Sequence, residues 1–291
     1  MRQSVVVLGL RRGWLAHVSS HPKLPSFKLI HGVKEGFKMT EFQSAAPTPP
    51  NLRRRSAYLL PNLFTTIALF AGFYAIVQAM TGRFDYSAVA IFVAMIFDGL
   101  DGRIARLTRT QSAFGAEYDS LSDMVSFGAA PALLVLEWAM KDMGNWGWVA
   151  AFIYCAGAAL RLARFNANIN VVDKGYFQGL PSPAAAALVA GLVWIAHDLA
   201  VPGAELRWYA FSLTIFAGLS MVTSVPYWSG KALNLRRSLP FMIIILAAFI
   251  CALIYSYPPS AIFMLFIIYS LSGYFMAGWR YLNKKTRESP A

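Results

Sequence analysis

Acidic side chains are scarce in this sequence: 14 Asp and Glu among 291 residues, against 26 Lys and Arg. Charged residues of both signs amount to only 14%, while 57% are hydrophobic and the mean hydropathy is +0.49. So little charge excludes an ordinary soluble domain, and so much apolar content excludes disorder over most of the length. The two cysteines, Cys155 and Cys251, fall inside apolar runs and read as small packing residues, which excludes a disulfide framework. Four histidines (His17, His21, His31 and His197) stand at no metal-ligand spacing, and no internal repeat is present.

Long hydrophobic runs take up most of the chain. Crossing the hydrocarbon core of a bilayer takes about 20 mostly apolar residues in a helix. Eight runs are candidates: Pro61 to Met80, Tyr86 to Leu100, Val125 to Met140, Trp146 to Leu162, Ala184 to His197, Trp208 to Val225, Pro240 to Tyr257, and Ser260 to Trp279. The second, third and fifth are short, so their ends are soft. Continuous rather than alternating hydrophobicity points to helices, because strands open to lipid cannot satisfy their backbone groups. The expected class is an all-α integral membrane protein with about eight transmembrane helices.

Basic residues accumulate on the cytoplasmic side of short loops. With the N-terminus inside, 23 of the 26 Lys and Arg fall on cytoplasmic segments, and only Arg83, Lys141 and Arg207 fall outside. Both termini are therefore expected in the cytoplasm. The net charge of +12 follows from this bias and from attraction to anionic headgroups. No soluble basic domain is left to bind nucleic acid. The expected organisation is a basic, flexible cytoplasmic tail over 1–57, a transmembrane domain over 58–283 and a short cytoplasmic tail over 284–291. VVVLGL near the N-terminus is too short for a signal-peptide core, and Met39 is an alternative start, since EFQSAAPTPPNLRRRS resembles an ordinary unstructured lead-in.

Five of the 14 acidic residues crowd into the 27 positions from Phe97 to Asp123: Asp98, Asp101, Glu117, Asp119 and Asp123. Asp98 and Asp101 are three apart and Asp119 and Asp123 four apart, so each pair projects from one face of its helix. The turn between them can bring the two faces together. Four carboxylates in one small space repel by a few kcal/mol per close pair at an effective dielectric near 20. Cations between them would relieve that repulsion, and hard oxygen donors in this number suit Mg²⁺ or Mn²⁺ with positions open to a substrate phosphate. Two ions fit the number of donors. Gly102 and Gly115 allow close approach of a ligand or backbone, and Arg103, Arg106 and Arg109 supply phosphate donors beside the carboxylates.

The pattern Asp98-x-x-Asp101-Gly102-x-x-Ala105-Arg106, eight residues, Gly115-x-x-x-Asp119-x-x-x-Asp123 resembles the signature of the CDP-alcohol phosphatidyltransferase family at every fixed position. The resemblance implies a six-helix membrane core, here followed by two C-terminal helices, usually dimeric, with a polar cavity facing the cytoplasm. It implies transfer of a phosphatidyl group from a CDP-linked lipid to an alcohol, releasing CMP. It also implies that Asp98, Asp101, Asp119 and Asp123 hold divalent metal, that Gly102, Ala105, Arg106 and Gly115 line the cytidine diphosphate site, and that Asp123 doubles as base. LLPNLFTT looks like the family's first-span segment and adds Asn62 and Thr65 as nucleotide contacts.

SDMVSFGAAPALL, ALRLARFN, FQGLPSPAAA and VPYWSGK each resemble segments of the branch that uses CDP-diacylglycerol and L-serine. That implies the inner (plasma) membrane as location. Arg161, Arg164 and Asn166 stand at a cytoplasmic helix end, level with a carboxylate or phosphate, although arginines there also serve topology. Lys231 is a further candidate phosphate contact or an interfacial anchor. Glycerol 3-phosphate, inositol phosphate and choline remain as alternative acceptors. An intramembrane prenyltransferase would place its acidic motifs on well-separated helices, and a cation-coupled transporter would place carboxylates near midplane on broken helices. Neither matches acids confined to one cytoplasmic turn.

Overall fold

A computed structural model describes residues 52–108, 110, 112–167, 176–228 and 241–288. The chain opens with two long helices, α1 (Leu52–Met80) and α2 (Phe84–Thr108). A helical rod in pieces follows: α3 (Ala113–Asp123), a wide π-type stretch over Met124–Ala129, α4 (Ala130–Val135), a second π stretch over Leu136–Met140 and a 3₁₀ turn at Lys141–Met143. Then come α5 (Asn145–Ala167), α6 (Ser182–Asp198), α7 (Arg207–Val222), α8 (Phe241–Ser256) and α9 (Pro258–Glu288). Two three-residue strands, β1 (Tyr176–Gln178) before α6 and β2 (Pro226–Trp228) after α7, pair antiparallel with Phe177 opposite Tyr227.

The apolar runs fall on helices, with shifted ends. α1 begins at Leu52, inside the stretch expected to be a flexible tail; Leu, Arg and Ala there are good helix formers, and Pro61 inside α1 does not end it. The third run begins at Ala113 rather than Val125, so Asp119 and Asp123 ride on a rod long enough to span the membrane. α9 continues to Glu288, past the expected boundary at 283. The run expected to reach Val225 stops at Val222, because the Val225 carbonyl accepts from Gly179 N at 2.9 Å beside the strand pair. Residues 1–51, Arg109 and Lys231 lie outside the described residues.

By length and composition, Leu60–Met80, Ala113–Met143, Asn145–Ala167 and Pro258–Asn283 are able to cross a membrane, and Ser182–Asp198 and Ile245–Ser256 are shorter apolar helices. The protein is a helical membrane protein. Its interior is built on small side chains: α6 buries Ala184 to Ala187 and Ala190, and α1 and α2 meet through Ala71, Ala75, Ala88, Ala90 and Ala94, with Ile91 fully buried among them. Small residues let helix backbones approach where lipid supplies no hydrophobic drive between helices. One such approach joins α5 to α7, where a Cβ on Gly157 would collide with the Gly218 carbonyl. α8 turns Met242, Leu246, Phe249 and Leu253 outward, a surface suited to lipid.

Candidate active site

The site forms where the C-terminal half of α2 meets α3. Ser112 caps α3, its Oγ accepting from Gly115 N at 3.0 Å, and the turn before it is closed by Thr110 N donating to the Ala105 carbonyl at 3.1 Å. This reversal folds the Asp98 face of α2 onto the Asp119 face of α3. Asp98, Asp119 and Asp123 each offer a carboxylate oxygen, and these oxygens all lie within 4.8 Å of one another. Asp101 is buried at 4% exposure and accepts from Thr65 Oγ1 at 2.7 Å, with its carboxyl against that of Asp119.

α1 braces both acidic helices. Besides Thr65, which also lies 3.2 Å from the Pro61 carbonyl, Ser122 Oγ donates to the Thr65 carbonyl at 3.3 Å and Ser126 Oγ to the Ala68 carbonyl at 3.1 Å. Thr66 and Tyr118 hydroxyls pair at 2.9 Å. In the π stretch directly after Asp123, the Phe127 carbonyl, whose α-helical donor position is Pro131, accepts from the buried Tyr154 hydroxyl at 3.0 Å.

Whether these residues suit a metal can be judged from the donor set. The Oδ1 atoms of Asp119 and Asp123 are buried and have no hydrogen-bond partner among the described residues. Unpartnered buried carboxylate oxygens are strongly disfavoured. An all-oxygen, multiply anionic set with such atoms facing inward fits a hard divalent cation.

The other expected residues fall at different distances from this centre. Asn62 Oδ1 lies 3.4 Å from where a Cβ of Gly115 would stand, so Gly115 gives α1 and α3 their close contact. Arg106 is exposed and folds its guanidinium over Gly102, with Nη1 3.7 Å from a Cβ built there; Ala105 is half-buried. Thr65, expected at the nucleotide, has its hydroxyl turned to Asp101. Arg161 is half-buried, donates from Nη1 to Ser182 Oγ at 2.6 Å and lies in the field of Asp123 and Asp98. Asn166 Nδ2 donates to Ser120 Oγ at 3.0 Å, tying the end of α5 to α3, and Arg164 is half-buried nearby on α5.

Sequence reasoning missed Ser122, Ser126, Tyr118, Ser182 and Tyr154. A signal existed for the two serines, hydroxyls spaced by four that fall on one face of the helix carrying Asp119 and Asp123. Tyr154 and Ser182 gave none, since their partners are remote in sequence.

The family model described as CDP-alcohol phosphatidyltransferase matches residues 58–225, more than half of the chain. The chain is 34% identical over 228 residues to a CDP-diacylglycerol--serine O-phosphatidyltransferase of Helicobacter pylori, covering 78% of this chain and 94% of the relative. A protein of the same description from Methanocaldococcus jannaschii is 39% identical over 183 residues, 63% of this chain and 80% of the relative. One from Saccharomyces cerevisiae is 38% identical over 149 residues, 46% and 53% respectively. The chain belongs to the CDP-alcohol phosphatidyltransferase family.

Proposed function

We propose that the protein transfers the phosphatidyl group of CDP-diacylglycerol to the hydroxyl of L-serine, releasing CMP. The observation that carries the reading is the meeting of Asp98, Asp119 and Asp123 around buried, unpartnered oxygens in a chain of this family. Serine as acceptor is supported by the descriptions of the relatives.

Asp98, Asp101, Asp119 and Asp123 would hold two divalent cations, Mg²⁺ or Mn²⁺, whose chemistry there is to neutralise charge on the diphosphate oxygens. Thr65 keeps Asp101 oriented by its hydrogen bond. Arg106 and Asn62 reach the diphosphate and cytidine, with Gly102, Ala105 and Gly115 leaving room for them. Asp123 accepts the serine hydroxyl proton as that oxygen attacks the lipid-bearing phosphorus. The new P–O bond forms as the bond to the CMP phosphate breaks. Arg161, with Arg164 and Asn166, receives the serine carboxylate, and Lys231 contacts a phosphate or anchors its helix at the interface. The product stays in the bilayer.

In the same reading the chain crosses the cell's inner (plasma) membrane eight times with both termini in the cytoplasm, the distribution of basic residues supporting it. The 1–57 and 284–291 segments are cytoplasmic ends of the 58–283 membrane domain. A homodimer is the assembly that the family resemblance supports.

An acceptor panel tests the reaction. Purified protein in mixed micelles with CDP-diacylglycerol should release CMP when offered serine, and not when offered glycerol 3-phosphate, inositol phosphate or choline. Release with another alcohol and not with serine would reassign the acceptor.

A further inference from the structure

Ser182 opens α6 and its side chain is wholly buried. A serine at the start of a helix ordinarily caps it, yet Pro181 holds the capping position here and no side-chain cap is made. The Ser182 hydroxyl serves another helix instead: Oγ accepts from Arg161 Nη1 of α5 at 2.6 Å. Packing along α6 gives no reason for that bond, since α5 lies mainly on α7 and the first π stretch.

The bond closes a circuit of fixed contacts. Leu180 N donates to the Ser220 carbonyl and Gly179 N to the Val225 carbonyl, both at 2.9 Å, which pins the segment entering α6 to the end of α7. Gly179 sits at φ +79°, and a Cβ there would strike the Met221 carbonyl, so glycine is what lets the two segments approach. In turn, α7 meets α5 backbone to backbone at Gly218 and Gly157. Ser182 therefore stands at a set place relative to Arg161.

Side-chain contacts also set the level of Arg161 on the acidic rod. Tyr154 reaches the Phe127 carbonyl, Ala158 Cβ lies 3.3 Å from where a Cβ on Gly128 would stand, and Asn166 is bonded to Ser120. Thus α5 runs antiparallel to the rod, with Arg161 between Ala158 and Asn166 and Asp123 between Ser120 and Gly128. Along the axis the two residues are within about one helical turn of each other.

An arginine side chain has many rotamers, and a bidentate grip on a carboxylate needs one orientation of its planar fork. A bond that sets this orientation before the ligand arrives lowers the ordering cost of binding. We propose that Ser182 is a positioning residue for the acceptor alcohol: by accepting one Nη1 proton it holds the Arg161 fork so that the remaining donors meet the serine carboxylate beside Asp123. The inference rests on the proposed role of Arg161 in binding serine.

Steady-state kinetics of the full chain in micelles tests it. Ser182→Ala removes one oxygen and should raise the KM for serine about tenfold, the size of one lost hydrogen bond to a charged group. The kcat and the KM for CDP-diacylglycerol should stay within about twofold. Ser182→Cys refills the space with a much weaker acceptor and should raise the serine KM nearly as far, so it carries the test if the alanine variant does not fold. Ser270→Ala, which removes a buried hydroxyl bonded within α9, should leave the serine KM unchanged. A serine KM unchanged in both Ser182 variants overturns the inference; if Arg161→Lys still raises it, the role of Arg161 stands, and if not, that role falls too. A Cys variant at the wild-type KM beside a raised KM in the Ala variant, a matching rise in Ser270→Ala, an equal rise in both KM values, or a fall in kcat alone would make Ser182 a packing residue only. Wild-type protein that releases no CMP with serine would overturn the reaction itself and the inference with it.

Discussion

Asp123 carries the heaviest assignment of any single residue. Its Oδ1 is buried and unpartnered among the described residues, its neighbours are Asp98 and Asp119, and the π stretch begins at the next residue. If it both binds metal and takes the serine proton, Asp123→Asn should lower turnover by about 10²–10⁴-fold, the range for a lost general base. CDP-diacylglycerol binding, measured separately, should fall less, because three other carboxylates remain. Asp123→Glu keeps the charge but moves it by a methylene, and misplacement of about 1 Å can itself lower the rate about 10²-fold. An Asn variant that binds the nucleotide lipid normally and turns over at the wild-type rate would remove Asp123 from the chemistry. Thr65, which the first-span segment marks for the nucleotide, also has its hydroxyl 2.7 Å from Asp101 and so supports that carboxylate.

At the scale of elements, the site depends on helices that touch backbone to backbone. A Cβ on Gly157 would strike the Gly218 carbonyl, and one on Gly72 would strike Ser126, whose hydroxyl ties the π stretch to α1. Gly157→Ala should therefore force α5 and α7 apart and destabilise the protein by about 1–3 kcal/mol, as overpacking does. Thermal unfolding in detergent reads this as a lower midpoint, and an unchanged midpoint would contradict the contact. The helices themselves were legible in the apolar runs, and the pairing of Asp98 with Asp119 and Asp123 in their spacing of three and four. The joints were not. Nothing local announces that α3 continues into a long rod through two π stretches; the first is met by α1 and by Tyr154, groups remote in sequence. The strand pair was illegible for a similar reason: its partners, Tyr176–Gln178 and Pro226–Trp228, are far apart in sequence, with α6 and α7 between them.

Across the whole molecule, five of the 14 acidic residues gather around one helix reversal, and 23 of the 26 basic residues would lie on one side in the proposed eight-span arrangement. Reporter fusions after Lys231 and Lys285 should be cytoplasmic and a fusion near Lys141 external, and an external C-terminus would sink the eight-span arrangement. The proposed chemistry stands or falls on carboxylates of α2 and α3 forming a metal centre for cleavage of a CDP-lipid. The decisive assay follows CMP release from CDP-diacylglycerol and serine through addition of excess chelator and then of Mn²⁺, in the wild type and in Asp119→Asn. Chelator should abolish release, Mn²⁺ should restore it in the wild type, and Asp119→Asn should recover little. Undiminished CMP release in excess chelator would contradict the metal centre.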